Sequence, residues 1–247
     1  MAEKTILLFD VDGTLTLPRQ SATPRMLEFL KKTKKTVDLA VVGGSDLTKI
    51  TEQLGDLTQL QHSFNYVFSE NGLVGYQGSH ALPAASINEA LGEDKLQDVI
   101  NFCLEYISKV KIPVKRGTFI EYRKGMLNVS PIGRSCSQAE RDAFVAYEQH
   151  TPVRAPLVAE LESRFKDYGL KFSIGGQISV DVFPIGWDKT YCLKYLTSAY
   201  DTIHFFGDKT APGGNDHEIF EHEKTIGHTV TSPEDTINQV SQVLESL

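Results

Sequence analysis

Cysteine is scarce in this 247-residue chain. Cys103, Cys136 and Cys192 are odd in number and far apart. That excludes a zinc spacing and a disulfide framework and points to a reduced, cytoplasmic compartment. No apolar run approaches the roughly 18 residues of a membrane-crossing helix, so no membrane partner is expected. The stretch MAEKTILLFDVDG does not read as a signal peptide, because its apolar run is short and two acids follow at once. Internal repeats and low-complexity tracts are also missing. Proline and glycine total 29, apolar residues make up 40% and charged residues 23%, a mixture that excludes collagen, coiled coil and disorder. A chain of this length buries roughly 70–75% of its unfolded surface and needs no covalent staple.

Positive charge is the other shortage, with a formal net charge of −7. It is unevenly spread. Residues 82–184 hold 13 Lys/Arg against 13 Asp/Glu, whereas the rest of the chain holds 12 against 19. Within the neutral stretch, residues 109–134 carry seven basic residues against Glu121 alone. An acidic frame thus holds a basic insert. No nucleic-acid motif or aromatic stacking platform accompanies the basic stretch, and a small anionic substrate fits it better.

The first third alternates strand and helix. TILLF (5–9) and DLAVV (38–42) are continuous apolar runs, as in parallel strands covered on both faces. Thr23-Pro24 reads as the N-cap and first position of a helix that turns Met26, Leu27 and Leu30 to a core. Ser45 can cap a second helix carrying Leu47, Ile50 and Leu54 and ending at Gly55. YVFSENG (66–72) reads as a third strand ending in a turn. The middle is different. Leu96, Val99, Ile100, Cys103, Leu104 and Ile107 keep helical spacing. TFIEY and MLNVS flank a turn at Lys124-Gly125, which would oppose Arg123 to Met126 and Glu121 to Asn128. Ile120, Tyr122, Leu127 and Val129 form its better core face, and Gln177, Ser179 and Asp181 alternate with Ile178, Val180 and Val182. Helices near 93–110, 137–149 and 155–168 back this sheet. The α/β pattern resumes with TIHFF (202–206), TIGHTV (225–230) and a last helix from Pro233. The expectation is an α/β core of residues 1–81 and 185–247 with a parallel sheet, interrupted by an α+β cap of residues 82–184 with an antiparallel sheet.

Four segments fall where parallel strands should end, the usual ligand edge of such sheets. Asp10 and Asp12, in FDVDGT, are two carboxylates that repel unless a divalent cation joins them. They also offer a nucleophile and an acid/base pair. Ser45 follows a strand at a helix start, where hydroxyl and amide groups can hold a phosphoryl oxygen. Lys189 follows the insert and can neutralise a phosphoryl group. Asp208 and Asp216 bracket GDKTAPGGND, where Asn215 adds a hydrogen-bonding group. Taken singly, each has a plainer reading: an acidic turn, a helix cap, a surface lysine, an acidic loop.

Together, DVDGT, Ser45, Lys189 and GDK…GGND resemble, in order, the four motifs of the haloacid dehalogenase superfamily of phosphotransferases. RGTFIEYRKGMLNVSPIGRSCSQAER, GGQISVDVFPIGWDK and FFGDKTAPGGNDHEIF closely resemble the eukaryotic-type α-phosphomannomutases over essentially the whole chain. The resemblance implies a haloacid dehalogenase-like Rossmannoid core. It implies interconversion of mannose 6-phosphate and mannose 1-phosphate with Mg²⁺ and a glucose or mannose 1,6-bisphosphate activator. It further implies a homodimer joined through the caps, a supply of mannose 1-phosphate for GDP-mannose and glycosylation, and accompanying phosphoglucomutase activity.

On that resemblance Asp10 is the nucleophile and Asp12 the general acid/base. The metal set is Asp10, Asp12, Asp208, Asn215 and Asp216, and Ser45 and Lys189 hold the transferred group. Arg123, Arg134 and Arg141 match the family's phosphate-binding arginines and Arg19 its core arginine. Ser179 and Asp181 match its ligand contacts, while Met126, Asn128 and Gln177 line the sugar pocket. A second cation would use Phe220, Thr225 and the position of His222, where the family has an acid. A cap that opens and closes would let the bisphosphate turn round. A sugar-phosphate phosphatase with the same core and a non-catalytic sugar-phosphate sensor are the competing readings.

Overall fold

The computed structural model describes residues 3–246. The chain divides into two compact units, one running up to Ala84 and resuming at Gly186, the other Ala85–Ile185. The boundaries lie one to three residues beyond those expected from the sequence.

In the first unit the strands and helices before the insert are β1 (Thr5–Phe9), α1 (Pro24–Thr33), β2 (Asp38–Val42), α2 (Leu47–Leu54), α3 (Leu57–Ser63), β3 (Tyr66–Ser69), β4 (Val74–Gln77) and β5 (His80–Ala81). The inserted unit holds α4 (Ile87–Leu91), α5 (Glu93–Lys109), β6 (Ile120–Tyr122), β7 (Leu127–Val129), α6 (Gln138–Glu148), α7 (Arg154–Arg164), β8 (Leu170–Gly175) and β9 (Ser179–Pro184). The first unit resumes with a 3₁₀ turn at Lys189–Cys192, α8 (Leu193–Leu196), β10 (Thr202–Gly207), α9 (His217–Phe220), β11 (Ile226–Thr229) and α10 (Pro233–Ser246).

The seven-stranded sheet runs β11-β10-β1-β2-β3-β4-β5. The five strands from β11 to β3 pair in parallel. The expected parallel sheet is extended by two antiparallel edge strands, β4 and β5. The continuous apolar runs follow from burial on both faces. Leu7 and Phe9 of β1 pack with Met26, Leu30, Ile50 and Val240 on one side, while Ile6 and Leu8 meet Leu193, Leu196 and Ile219 on the other. β1 lies between β10 and β2, so its carboxyl end is a point where the chain leaves toward both sides of the sheet.

Thr23 caps α1 by accepting from the Met26 amide. Met26 and Leu30 are buried as expected, but Leu27 is 41% exposed, because a helix lying on a sheet hides a narrower stripe than three neighbouring apolar positions suggest. The same holds for Leu104 of α5, 46% exposed beside buried Leu96, Val99, Cys103 and Ile107. Asp46, not Ser45, caps α2, accepting from the Lys49 amide.

In the inserted unit the four-stranded sheet runs β6-β7-β9-β8, antiparallel throughout. Glu121 opposes Asn128, and the Arg123 amide donates to the Met126 carbonyl, so the hairpin has its expected register. Leu127, Val129, Val180 and Val182 are fully buried. Tyr122, placed on that core face by its period, is 54% exposed, because β6 is an edge strand.

Candidate active site

Asp10 and Asp12 follow β1, Ser45 follows β2 and Asp208 follows β10, while Lys189 opens the 3₁₀ turn after the inserted unit. The Asp10 amide donates to the Phe206 carbonyl, tying the end of β1 to β10. After it the chain folds back tightly: the amides of Thr14, Leu15 and Thr16 all donate to the Val11 carbonyl. Gly13 is needed twice over in this loop. Its φ is +81°, and a Cβ there would stand 2.4 Å from Asp208 Oδ2, well inside contact distance.

Asp10, Asp208 and Asp216 each present an acidic oxygen, all within 4.8 Å of one another. The Lys189 ammonium, with the residue 1% exposed, bonds both Asp10 and Asp216. Burial pushes the Asp10 carboxyl up, and Asp216 adds to this against the opposing pull of Lys189. Burial alone would lower the Lys189 pKa, but Asp10 and Asp216 outweigh it and hold the lysine charged. Burial also raises the Asp208 carboxyl, and its Oδ1 is buried with no hydrogen-bond partner. Three clustered carboxylates, one with an orphaned oxygen, fit a hard divalent cation with oxygen ligands such as Mg²⁺.

Asp12 stands apart electrostatically. Burial raises its carboxyl, but hydrogen bonds from the Arg19 amide and the Gln53 side chain outweigh that and hold it below the ordinary carboxylate range. Both bonds reach Oδ1, each at 2.8 Å. Gln53 is 6% exposed and also donates to Thr16 Oγ1. The sequence reading missed it. Its signal was a glutamine among Ile50 and Leu54 on the buried face of α2. Arg19 reaches Asp12 through its backbone at a φ of +61°, with its side chain exposed.

A cavity of about 90 Å³ is lined by Asp10, Asp12, Ser45, Gln53, Lys209 and Asn215, among others. Ser45 is therefore at the site even though it caps no helix. Its carbonyl accepts from the Glu70 amide, and the Asn71 amide donates to the Gly43 carbonyl. Glu70 and Asn71 take positive φ values of 49° and 61°, a strained pair that holds the Gly43–Ser45 loop.

The inserted unit gathers a second charged group. Arg123 donates to Glu121 through Nε at 2.8 Å and through Nη2, and Arg134 Nε lies 3.2 Å from the same Oε2. Arg134 Nη1 donates to Asn128, whose Nδ2 donates to Asp181 Oδ1 at 2.6 Å. Burial raises the Asp181 carboxyl, partly offset by Asn128, Arg123 and Arg134. Met126 joins through a 3.9 Å contact from Arg123 to its sulfur. Arg141 bonds the Arg134 carbonyl at 3.1 Å. Ser179 is buried on the Asp181 face of β9. Gln177 is turned to α6 instead, where it donates to Asp142 at 2.9 Å and accepts from Gln138.

The 220–225 loop closes on itself. The Thr225 hydroxyl donates to the Ile219 and His222 carbonyls, and His222 Nδ1 accepts from the Lys224 amide. Among the described residues, only Asp10, Asp208 and Asp216 form a three-residue cluster of metal-ligating type.

The doubly flanked β1, its acidic loop and the lysine clamped between two aspartates define a core of the haloacid dehalogenase type. Solved structures agree on the fold. A trehalose-6-phosphate phosphatase of Aspergillus fumigatus matches with a TM-score of 0.63 at 16% identity, covering 98% of this chain and 93% of its own. An IMP-nucleotidase of Plasmodium falciparum matches with the same score and identity over 99% of this chain and 69% of its own. Within that class, the chain belongs to the eukaryotic phosphomannomutase family, whose model matches residues 26–246. A probable phosphomannomutase of Caenorhabditis elegans is 58% identical over 248 residues, 100% of this chain and 98% of its own. A phosphomannomutase of Arabidopsis thaliana is 59% identical over 232 residues, 94% and 93% respectively.

Proposed function

We propose that this protein interconverts mannose 6-phosphate and mannose 1-phosphate through an aspartyl phosphate on Asp10 and a hexose 1,6-bisphosphate. The observation that carries the reading is the buried Asp10–Lys189–Asp216 cluster beside Asp12, read together with membership of the family. Asp10 attacks the phosphorus of a bisphosphate, forming an O–P bond as the bond to the sugar oxygen breaks. Asp12 gives that oxygen its proton. In the return step Asp12 removes the proton from the other hydroxyl, which attacks the aspartyl phosphate and restores the Asp10 carboxylate. Because Arg19 and Gln53 occupy Oδ1 of Asp12, its Oδ2 is the oxygen left to carry the proton. Lys189 opposes the upward push of burial on Asp10 and holds it in line, and Ser45 holds a phosphoryl oxygen.

Asp10, Asp208 and Asp216, with the Asp12 carbonyl and Asn215, would hold Mg²⁺. The bound ion supplies neutralisation of charge on the transferred phosphoryl group. Arg123, Arg134 and Arg141 bind the phosphate that is not reacting, planar guanidiniums being suited to phosphate. Ser179, Asp181, Asn128 and Met126 face the sugar, and Arg19 contributes from the core. Glucose phosphates, which differ by one hydroxyl orientation, are accepted as well. The product serves GDP-mannose synthesis in the cytoplasm, and the enzyme acts as a homodimer through its inserted unit.

The test supplies mannose 1-phosphate, Mg²⁺ and a trace of glucose 1,6-bisphosphate and follows mannose 6-phosphate and free phosphate together. Isomer without comparable phosphate release is expected. Phosphate release without isomer would make the protein a phosphatase. Asp10→Asn should keep the fold and lose turnover, and near-native rates in that variant would overturn the nucleophile.

A further inference from the structure

The arginines assigned to substrate phosphate are not free in this structure. A single oxygen, Oε2 of Glu121, bridges the guanidiniums of Arg123 and Arg134. Glu121 stands on edge strand β6, two residues before Arg123 and on the same face, directly opposite Asn128. Its side chain is 37% exposed, and those of Arg123 and Arg134 are 38% and 27% exposed. It can therefore swing into solvent without disturbing the buried Leu127 and Val129 beneath. Asp181, joined through Asn128 to Arg134, adds a second carboxyl. Two arginines with two acids make a cluster without net charge when all are ionised, although it lies in the most basic stretch of the chain.

We propose that Glu121 is a displaceable internal anion that sets how tightly Arg123 and Arg134 hold a phosphate. A phosphate that takes the edge of both guanidiniums now facing Glu121 must break their bonds to it, and it must then tolerate the released carboxylate nearby. Both effects weaken phosphate binding by a constant factor. The arginines consequently stay paired, rather than collecting stray anions, until a phosphoester arrives. Release is quickened in the same measure, because Glu121 is at hand to take the guanidiniums back. This rests on the reading that Arg123 and Arg134 receive a substrate phosphate. A reaction whose bisphosphate must let go at one end and present the other requires such a moderate grip. Glu121 touches neither substrate nor the reacting atoms in this scheme and acts through the two arginines.

The sign of the effect separates this role from a structural one, since a residue needed only to place the arginines would weaken binding when removed. Inorganic phosphate is titrated calorimetrically into the full chain in EDTA, where the core contributes equally to every variant. Glu121→Gln should bind phosphate roughly five-fold more tightly than the unaltered protein, the factor expected from one half-exposed ion pair. Glu121→Asp, too short to bridge both guanidiniums, should fall between. In an Arg123→Gln background the gain from Glu121→Gln should shrink toward none. In the assay with hexose phosphate, Glu121→Gln should lower KM and also lower kcat as release slows. Weaker or unchanged phosphate binding in both Glu121 variants would overturn the proposal. If phosphate binding tightens while Arg123→Gln leaves the hexose-phosphate KM unchanged, Glu121 acts as proposed and the placement of the substrate phosphate is wrong.

Discussion

Asp12 shows how a single side chain two helices away decides what a carboxylate can do. Its Oδ1 is taken by the Arg19 amide and by Gln53 Nε2. A hydrogen bond to an ionised group is worth about 1.5–3 kcal/mol. Replacing Gln53 by leucine keeps the volume and the buried position on α2 but frees Asp12 to rotate. We expect kcat to fall roughly 10- to 100-fold with KM little changed, because the phosphate-holding groups are untouched. Steady-state kinetics check this, and a loss confined to KM would place Gln53 in substrate binding instead. Asp10, Asp12 and Asp208 were legible because they closely follow parallel strands, whereas Lys189, expected at such a strand end, opens the 3₁₀ turn after antiparallel β9. Gln53 was not legible, because its partner Asp12 lies 41 residues away. Nothing local distinguishes it from any other core-facing glutamine.

At the scale of strands and helices, the runs that read most clearly were those with a full core on both faces, such as β1 and β2. The errors sat at margins. β4 and β5 were missed as short edge strands with little apolar pattern, and Tyr122 was misplaced because period alone does not tell an edge strand from a central one. The parallel pair β10 and β11 carries a feature that the pattern could not announce. His204 Nδ1 lies 2.8 Å from His228 Nε2, and the His228 ring stacks on Phe206 at 4.4 Å. Burial, and then His204, depress His228 to about 4, and burial lowers His204 as well. Below about 6.5 the unfolded chain takes up protons that the folded pair refuses, so stability falls as pH drops from about 6.5 toward 4. Thermal unfolding between pH 7 and 5 should therefore show a fall in Tm that is smaller in His228→Gln than in the unaltered protein. An equal fall in both would assign the acid sensitivity to other groups.

Across the molecule, the core unit carries a concentrated electrostatic cost, and a cation is its natural relief. Three acids meet within 4.8 Å, and Asp208 Oδ1 is buried without a partner. A cation that binds only the folded state stabilises it by about 2.7 kcal/mol at 100 times its dissociation constant. That corresponds to a rise in Tm of roughly 5–10 °C for a unit of this size. The chain offers a convenient reporter, because its one tryptophan, Trp187, lies in the core unit two residues before Lys189. Its carbonyl accepts from Asn71 of the strained turn beside Ser45. Trp187 fluorescence therefore follows the unit that holds the acids, whereas the inserted unit, with its own core around Ile132, Phe144 and Ile178, contributes no tryptophan. We expect Mg²⁺ to raise the fluorescence-detected Tm over that in EDTA. Asp208→Asn removes one of three like charges, so its Tm in EDTA should match or exceed that of the unaltered protein while its response to Mg²⁺ largely disappears. The two changes in opposite directions are what a relieved repulsion requires. A Mg²⁺ shift of full size in Asp208→Asn would mean that the ion stabilises the chain from somewhere other than this cluster.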